Sequence, residues 1–290
     1  MGESFSASGY EWKRLNEVYT NENNHLWGAN GIIPNDVKQG GLGNCWVLSG
    51  ASALAEKPGR VEKIFLNEQP ELNDAGIYAV NLYTLGAPHT VVVDEWVPMK
   101  YGNTLFSKVA HDGAMWMPIL EKAFAKYHGN YMHIEAGWPI ESARTLYGAP
   151  GLNISHSNVS VDELWESLSL HDGKDDIIQA ASPGSSDAYK NSDGLYNGHA
   201  YTTLGVVTLS NGVRLVRVRN PHGVDSFHGR WSDDSDLWTD QFKAEADFQY
   251  NKEDGKIFMQ LEDYHAQMTT TMVNYATEGW GYDYFLKIND

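Results

Sequence analysis

The chain has 290 residues, 42% apolar and 20% charged, with ten tryptophans and sixteen tyrosines, so it can bury a sizeable core and is not a globally disordered protein. A formal charge of -17 and the lack of any Lys/Arg block argue against nucleic acid as a partner. No stretch approaches the roughly 18 to 20 apolar residues of a membrane helix, the N-terminal MGESFSASGYEWKRLNE lacks the apolar segment of a secretory signal, and one cysteine cannot form an internal disulfide. The expectation is a cytoplasmic protein, in which the sequons at Asn153 and Asn158 carry no glycan.

Domains commonly run to about 100 to 200 residues, which predicts two here. From Cys45, the segment CWVLSGASALAEKPG carries Leu48, Ala51, Leu54 and Ala55 at helical spacing, and Pro58-Gly59 ends it. GIYAVNLYTLGAPHTVVVDEWV predicts two strands about a Gly86-Ala87-Pro88 turn. MWMPILEKAFAKYHGN predicts an amphipathic helix closed by Gly129. The loop-like composition at Tyr147-Gly148-Ala149-Pro150-Gly151 places a boundary there, giving domains 1–148 and 149–290. Beyond it, VDELWESLSLHDG reads as a helix, while DIIQAAS, HAYTTLGVVTL, VRLVRVRN, KIFMQLED and the C-terminal YDYFLKI read as strands. The fold class is therefore α+β.

The sole cysteine lies in KQGGLGNCWVLSG, residues 38–50, after three glycines and at the predicted start of a helix. A thiol is a nucleophile only as its anion, and a helix N-terminus favours the anion through its dipole and free N–H groups. Gly40, Gly41 and Gly43 permit tight turns and close approach by another backbone, and Gln39 can offer a side-chain amide to an oxyanion. Taken alone, a single cysteine is more often a small buried hydrophobe.

A cysteine nucleophile needs a histidine to take its proton, and the histidine needs a third group to fix its ring. NGHAYTTLGVVTLSNGVRLVRVRNPHG, residues 197–223, predicts a hairpin turning at Asn211-Gly212. With a loop of two or four residues, the position opposite His199 is even-numbered, so Asn220 shares its face. Closing the offset between them calls for the longer loop or a bulge. Pro221 ends the strand and biases Asn220 to an extended backbone.

QGGLGNCW, GHAYTTLGV and VRNPHG resemble, in order, the three active-site motifs of the calpain family of cysteine proteases. The likeness extends to EWKRLNEV, WMPILEKAFAKYHGNY and EDGKIFMQLEDY, nearly the whole chain. The resemblance implies a two-lobed papain-like protease core, with a helical-rich first lobe, a β-rich second lobe and the active site in the cleft. It implies an endopeptidase acting on protein or peptide substrates. Cys45 would be the nucleophile, His199 would move the proton, Asn220 would orient the ring, and Gln39 with the Cys45 N–H would hold the oxyanion. Gly40, Gly41 and Gly198 would contact the substrate main chain.

The sequence departs from the family in several places. His222 stands where a tryptophan usually shields the His–Asn pair, so a wetter pair is expected. Asn44 replaces a common aspartate. Each lobe of the family binds one calcium, but here both sites are degenerate. The first keeps Gly31 and Asp36 with Met132 at the glutamate position and only the displaced Glu135 to substitute. The second keeps Asp233 and Asp254 with Ser226 and Lys256 where glutamates are expected, and Asp225 nearby. Calcium control is expected to be weak, with an activator outside this chain left open. The family's regulatory tails, including any EF-hand pattern, are not found.

Four other readings fit less well. A secreted papain-type enzyme conflicts with Leu42 and the missing signal, and a transglutaminase-type enzyme usually has Asp as third member. A silent scaffold has no need of the intact Gln39, Cys45, His199 and Asn220. A metal site on His199, His222 and His228 matches no standard zinc spacing.

Overall fold

The computed structural model describes residues 9–20, 25–67 and 71–276. The expected strand YDYFLKI, residues 282–288, lies outside them.

All ten residues of the helix Cys45–Leu54 are buried, as an apolar run without a polar face requires. It packs on the helix Pro139–Tyr147 and on strands from later in the chain, so the element that begins with the cysteine forms the centre of the molecule. Around it in the first half lie β1 (Tyr10–Arg14), β2 (Ile77–Thr84), β3 (Ala87–Asp94), β4 (Trp96–Lys100) and β5 (Asn103–Thr104). The first, fourth and fifth form one antiparallel sheet, and β2 and β3 form a hairpin. Its turn is Leu85-Gly86, both at positive φ, with Ala87 and Pro88 already paired in the strand, so it falls earlier than the Gly-Ala-Pro sequence predicts. That conformation is the two-residue turn whose twist matches the flanking strands. The helix Trp116–Tyr127 is as expected.

In the second half, β6 (Gly151–Ser155), β7 (Ile177–Ala181), β8 (Ala200–Thr208), β9 (Arg214–Arg219), β10 (Lys256–Gln260) and β11 (Thr270–Asn274) make one antiparallel sheet in the order β10-β9-β8-β7-β11-β6. The helix Val161–Asp172 begins with a Ser160–Glu163 capping box. KIFMQLED is strand only to Gln260. Leu261–Gln267 is a helix, with Glu262 and Asp263 in its first turn where the dipole favours acidic groups. One buried cluster is built mainly from residues 15–149, a second from residues 164–273.

The hairpin β8–β9 reaches the expected facing of residues by two compensating irregularities. Thr208 pairs with Arg214, so the connection spans residues 209–213, an odd count that by itself would turn His199 and Asn220 to opposite faces. A bulge between Thr203 and Gly205 shifts the register by one and restores the parity.

Between the two halves lies Arg219, which is 1% exposed. Its guanidinium donates to Val37 O at 2.7 Å, Ser52 Oγ at 3.2 Å and Asp254 O at 3.0 Å. Burial pulls its pKa down to about 10, opposed by the charges of Asp254 and Asp36. Thr202 Oγ1 donates to Ser49 O at 2.7 Å, and the Gln179 amide shares a hydrogen bond with Ser49 Oγ at 2.7 Å, so β7 and β8 also grip the buried helix.

Removing the guanidinium leaves the buried Val37 and Asp254 carbonyls without their donor, at about 1 to 3 kcal/mol for an unsatisfied buried group. Arg219→Met is therefore expected to lower the unfolding free energy by about 3 kcal/mol in urea denaturation. Arg219→Lys should recover little, because one ammonium cannot span the three acceptors.

Candidate functional site

Cys45 stands at the first turn of its helix, 8% exposed. No side chain caps that turn. Asn44 is turned the other way: its Nδ2 donates to Glu121 Oε1 at 2.7 Å, and the buried Glu121 carboxylate also accepts from Ser107 N and Oγ. An aspartate at 44 would set a second carboxylate against Glu121, which accounts for the amide found there. Burial already raises the Glu121 pKa, the Asn44 and Ser107 donors opposing it.

Gln39 is 8% exposed. Its Nε2 donates to Leu42 O at 2.8 Å, and its backbone N–H donates to Pro221 O at 2.8 Å, which docks the segment before Cys45 beside the end of β9. Gly40 has its own reason to be glycine. A Cβ there would sit 1.8 Å from Phe106 O, so the close approach is to this chain's own backbone.

His199 and Asn220 lie just outside β8 and β9, at 1% and 3% exposure. His199 Nε2 is 3.0 Å from Asn220 Oδ1. The same oxygen accepts from the His222 backbone N–H at 3.0 Å, which fixes which end of the amide is oxygen. The His199 Nε2 is thus the donor, and in the neutral ring Nδ1 carries the lone pair. Nδ1 faces Asp187 Oδ2, 3.8 Å away, and the Cys45 side chain also acts on this ring. Burial lowers the His199 pKa, but Asp187, Cys45 and Asn220 outweigh it and raise it to about 9.

The expected wetter pair is not found. His222 lies over the His199 ring with centroids 4.5 Å apart, and Tyr201 and Tyr196 approach at 4.9 and 5.5 Å, so three rings cover what one tryptophan was expected to cover. Burial, then the neighbouring His199, pulls the His222 pKa down to about 4.

Cys45 and His199 line one cavity of about 600 Å³ together with Trp138, Ala181, Gly198 and Met272. Gly198 adopts φ +52, and a Cβ there would meet Ser186 N at 2.6 Å, so the turn before His199 needs glycine. Among the described residues the lining includes Gly198 but not Gly40 or Gly41. Asp187 escaped the sequence reading. It sits in the polar loop SPGSSDAYKNSDGLYNG, whose composition has no periodicity to mark one carboxylate.

Several of the residues expected to hold calcium are engaged within the protein. Asp36 is buried, its Oδ2 accepting from Ile33 N at 3.0 Å and Trp116 Nε1 at 2.8 Å, and burial raises its pKa to about 7. Gly31 and Met132 are exposed, as is Glu135. In the second half, Asp254 Oδ1 accepts from Lys256 N at 2.8 Å, with Lys256 Nζ 3.5 Å from Oδ2. Asp233 accepts from Asn251 N, and Ser226 Oγ donates to Gly194 O. Lys252 Nζ lies 3.0 Å from both Asp225 and Asp234, so ammonium groups stand among these carboxylates. Such a set does not fit a calcium cage of about six to eight oxygens.

A thiol at a helix start and an imidazole held by an amide thus line one cavity. Comparison with known proteins gives the family. The model described as "Calpain family cysteine protease" matches residues 2–274. The "Calpain-type cysteine protease DEK1" of Arabidopsis thaliana is 32% identical over 248 residues, covering 83% of this chain and 11% of that protein. "Calpain-12" of Mus musculus is 30% identical over 277 residues, covering 93% of the chain and 38% of that protein. The "Calpain-2 catalytic subunit" of Homo sapiens is 30% identical over 275 residues, covering 90% and 38%. This chain belongs to the calpain family of cysteine proteases, and it spans from about a tenth to about two fifths of the length of these curated relatives.

Cys45 acts on the His199 ring and lines the same cavity, so the alkylation rate of Cys45 is expected to depend on that ring. Iodoacetamide at pH 7 is expected to label Cys45 at least ~10-fold more slowly in His199→Ala than in the native chain, read by mass spectrometry. Equal rates would make the thiol independent of the imidazole.

Proposed function

We propose that this chain is a peptidase core that hydrolyses internal peptide bonds of protein substrates through Cys45, His199 and Asn220, in two lobes meeting near residue 148. The carrying observation is the His199 ring, held at Nε2 by Asn220 Oδ1, with Nδ1 left without a hydrogen-bond partner and the Cys45 side chain among the groups that raise its pKa. Below its pKa of about 9 the His199 ring already holds a proton, and the Cys45 thiolate attacks the scissile carbonyl carbon. The ring then gives that proton to the leaving amine, and the acyl group remains as a thioester. Water attacks the thioester, the ring takes its proton, and the thiolate leaves with release of the carboxylic acid. The Cys45 N–H and the Gln39 side-chain amide are the donors for the oxyanion. An extended substrate crosses the cavity with Gly198 at its main chain. A free thiol nucleophile suits a reducing, cytoplasmic location.

Calcium is not required to align the lobes in this reading. Arg219 already joins them, and Lys252 and Lys256 supply positive charge among the second-half carboxylates.

Hydrolysis of casein, measured with and without calcium, tests both parts. Cys45→Ala and His199→Ala are expected to lose at least ~10²-fold in rate, and Asn220→Ala less, because orientation is partly recovered while the proton acceptor is not. Activity that survives Cys45→Ala, or that appears only with micromolar calcium, would contradict the respective part. Because the imidazolium must persist to protonate the amine, kcat/KM is expected to fall above about pH 9. Asp187 helps to raise the His199 pKa, so Asp187→Asn moves this alkaline limb to lower pH.

A further inference from the structure

Among the described residues, one group of three metal-ligating side chains converges: Asp187, His199 and His222, whose ligand atoms all lie within 4.8 Å of one another. A second observation points the same way. His199 Nδ1 and His222 Nδ1 are both buried ring nitrogens with no hydrogen-bond partner, an arrangement that ordinarily costs free energy. Two unpartnered imidazole nitrogens beside a carboxylate oxygen make a donor set of the kind that binds borderline divalent cations, with release of the proton that His199 otherwise holds.

From these donors we propose that Asp187, His199 and His222 form a binding site for a zinc-type divalent cation. The peptidase reading enters only in what occupancy does, which is to inhibit reversibly. Tetrahedral zinc with bonds of ~2.0–2.1 Å sets its ligand atoms about 3.3 Å apart, so the three groups need to close by roughly an ångström or less on average. Asp187 supplies part of that adjustment, and the His222 ring, which lies 4.5 Å from His199 centroid to centroid, turns to aim its nitrogen at the shared ion. Asp187 lies on the loop between β7 and β8, its side chain is 35% exposed, and its Oδ2 is already 3.8 Å from His199 Nδ1. The His199 Nε2 contact to Asn220 remains as the outer hydrogen bond that orients a metal-bound imidazole.

His228, the third histidine that the sequence offers, does not take part. Its ring nitrogens contact Ser192 O and Ser226 O. The unfavourable sequence spacing therefore counted the wrong third ligand. The correct one is a carboxylate on a different loop. The fourth position is left to water or to the Cys45 sulfur, which shares the cavity with His199. Occupancy takes the His199 Nδ1 lone pair, the group that would accept the Cys45 proton, so hydrolysis stops until the metal leaves. No oxidant or reductant is involved.

Calorimetric titration of Zn²⁺ into the chain tests the site without reference to activity. One ion is expected per chain, with affinity at least ~10-fold weaker in His222→Phe, which keeps a ring beside Tyr196, and in Asp187→Asn, whose partly exposed position makes folding failure no obstacle. His228→Gln, outside the site, is expected to bind as the native chain does. Binding unchanged in both His222→Phe and Asp187→Asn, or absent from the folded native chain, overturns the proposal. Peptide hydrolysis is followed in parallel with zinc and then with chelator. Loss and recovery of activity that track the calorimetric affinity support inhibition, and full activity with zinc bound overturns that clause. A chain that binds zinc with these sensitivities but hydrolyses nothing keeps the metal site and removes the peptidase reading instead.

Discussion

The guanidinium of Arg219 is the constraint on which the rest of this molecule rests. A fully buried positive charge must have its N–H groups satisfied, and here the acceptors come from three separate places: the segment before the cysteine, the cysteine's helix and the loop before β10. Any slippage of the β8–β9 hairpin against the helix Cys45–Leu54 would leave N–H groups of that charge unpaired. The charge therefore holds the two halves in one relation, at an energetic cost that an apolar side chain would not incur and with a directionality it would not provide.

The residues that follow Arg219 use that fixed relation in turn. Asn220 presents its Oδ1 to His199 and to the His222 backbone, Pro221 offers its carbonyl to Gln39, and the His222 ring covers His199. The end of a single strand thus joins the halves, orients the imidazole, docks the segment leading to Cys45 and shields the site. On the other side, the Cys45 helix is gripped through Ser49 and Ser52, so the thiol and the imidazole belong to elements that are both anchored.

Much of this was legible in the chain. The apolar spacing after Cys45 predicted the buried helix, and residue parity put His199 and Asn220 on one face. The parity argument reached the right facing by a route the sequence does not display, because an odd connection and a bulge cancel. Periodicity could not show this, since a bulge is a local compromise among contacts distant in sequence. Asp187 and the role of Arg219 were hidden for a related reason. One is a polar residue in a loop without pattern, the other an arginine in a strand that alternates Arg with Val, and only the fold brings their partners near. Gly40 was read as room for a substrate, whereas the structure assigns that room to Phe106. The helix after Gln260 was missed because strand-favouring residues run up to its first turn.

The central claim is that Cys45, assisted by His199, forms a covalent acyl intermediate. Rapid acid quench during turnover of an activated ester substrate, followed by intact mass and peptide mapping, measures it most directly. The account predicts a transient acyl adduct on Cys45 in the native chain, and little or none in His199→Ala. Turnover with no adduct on Cys45, or an adduct that forms as fast without the imidazole, would contradict it.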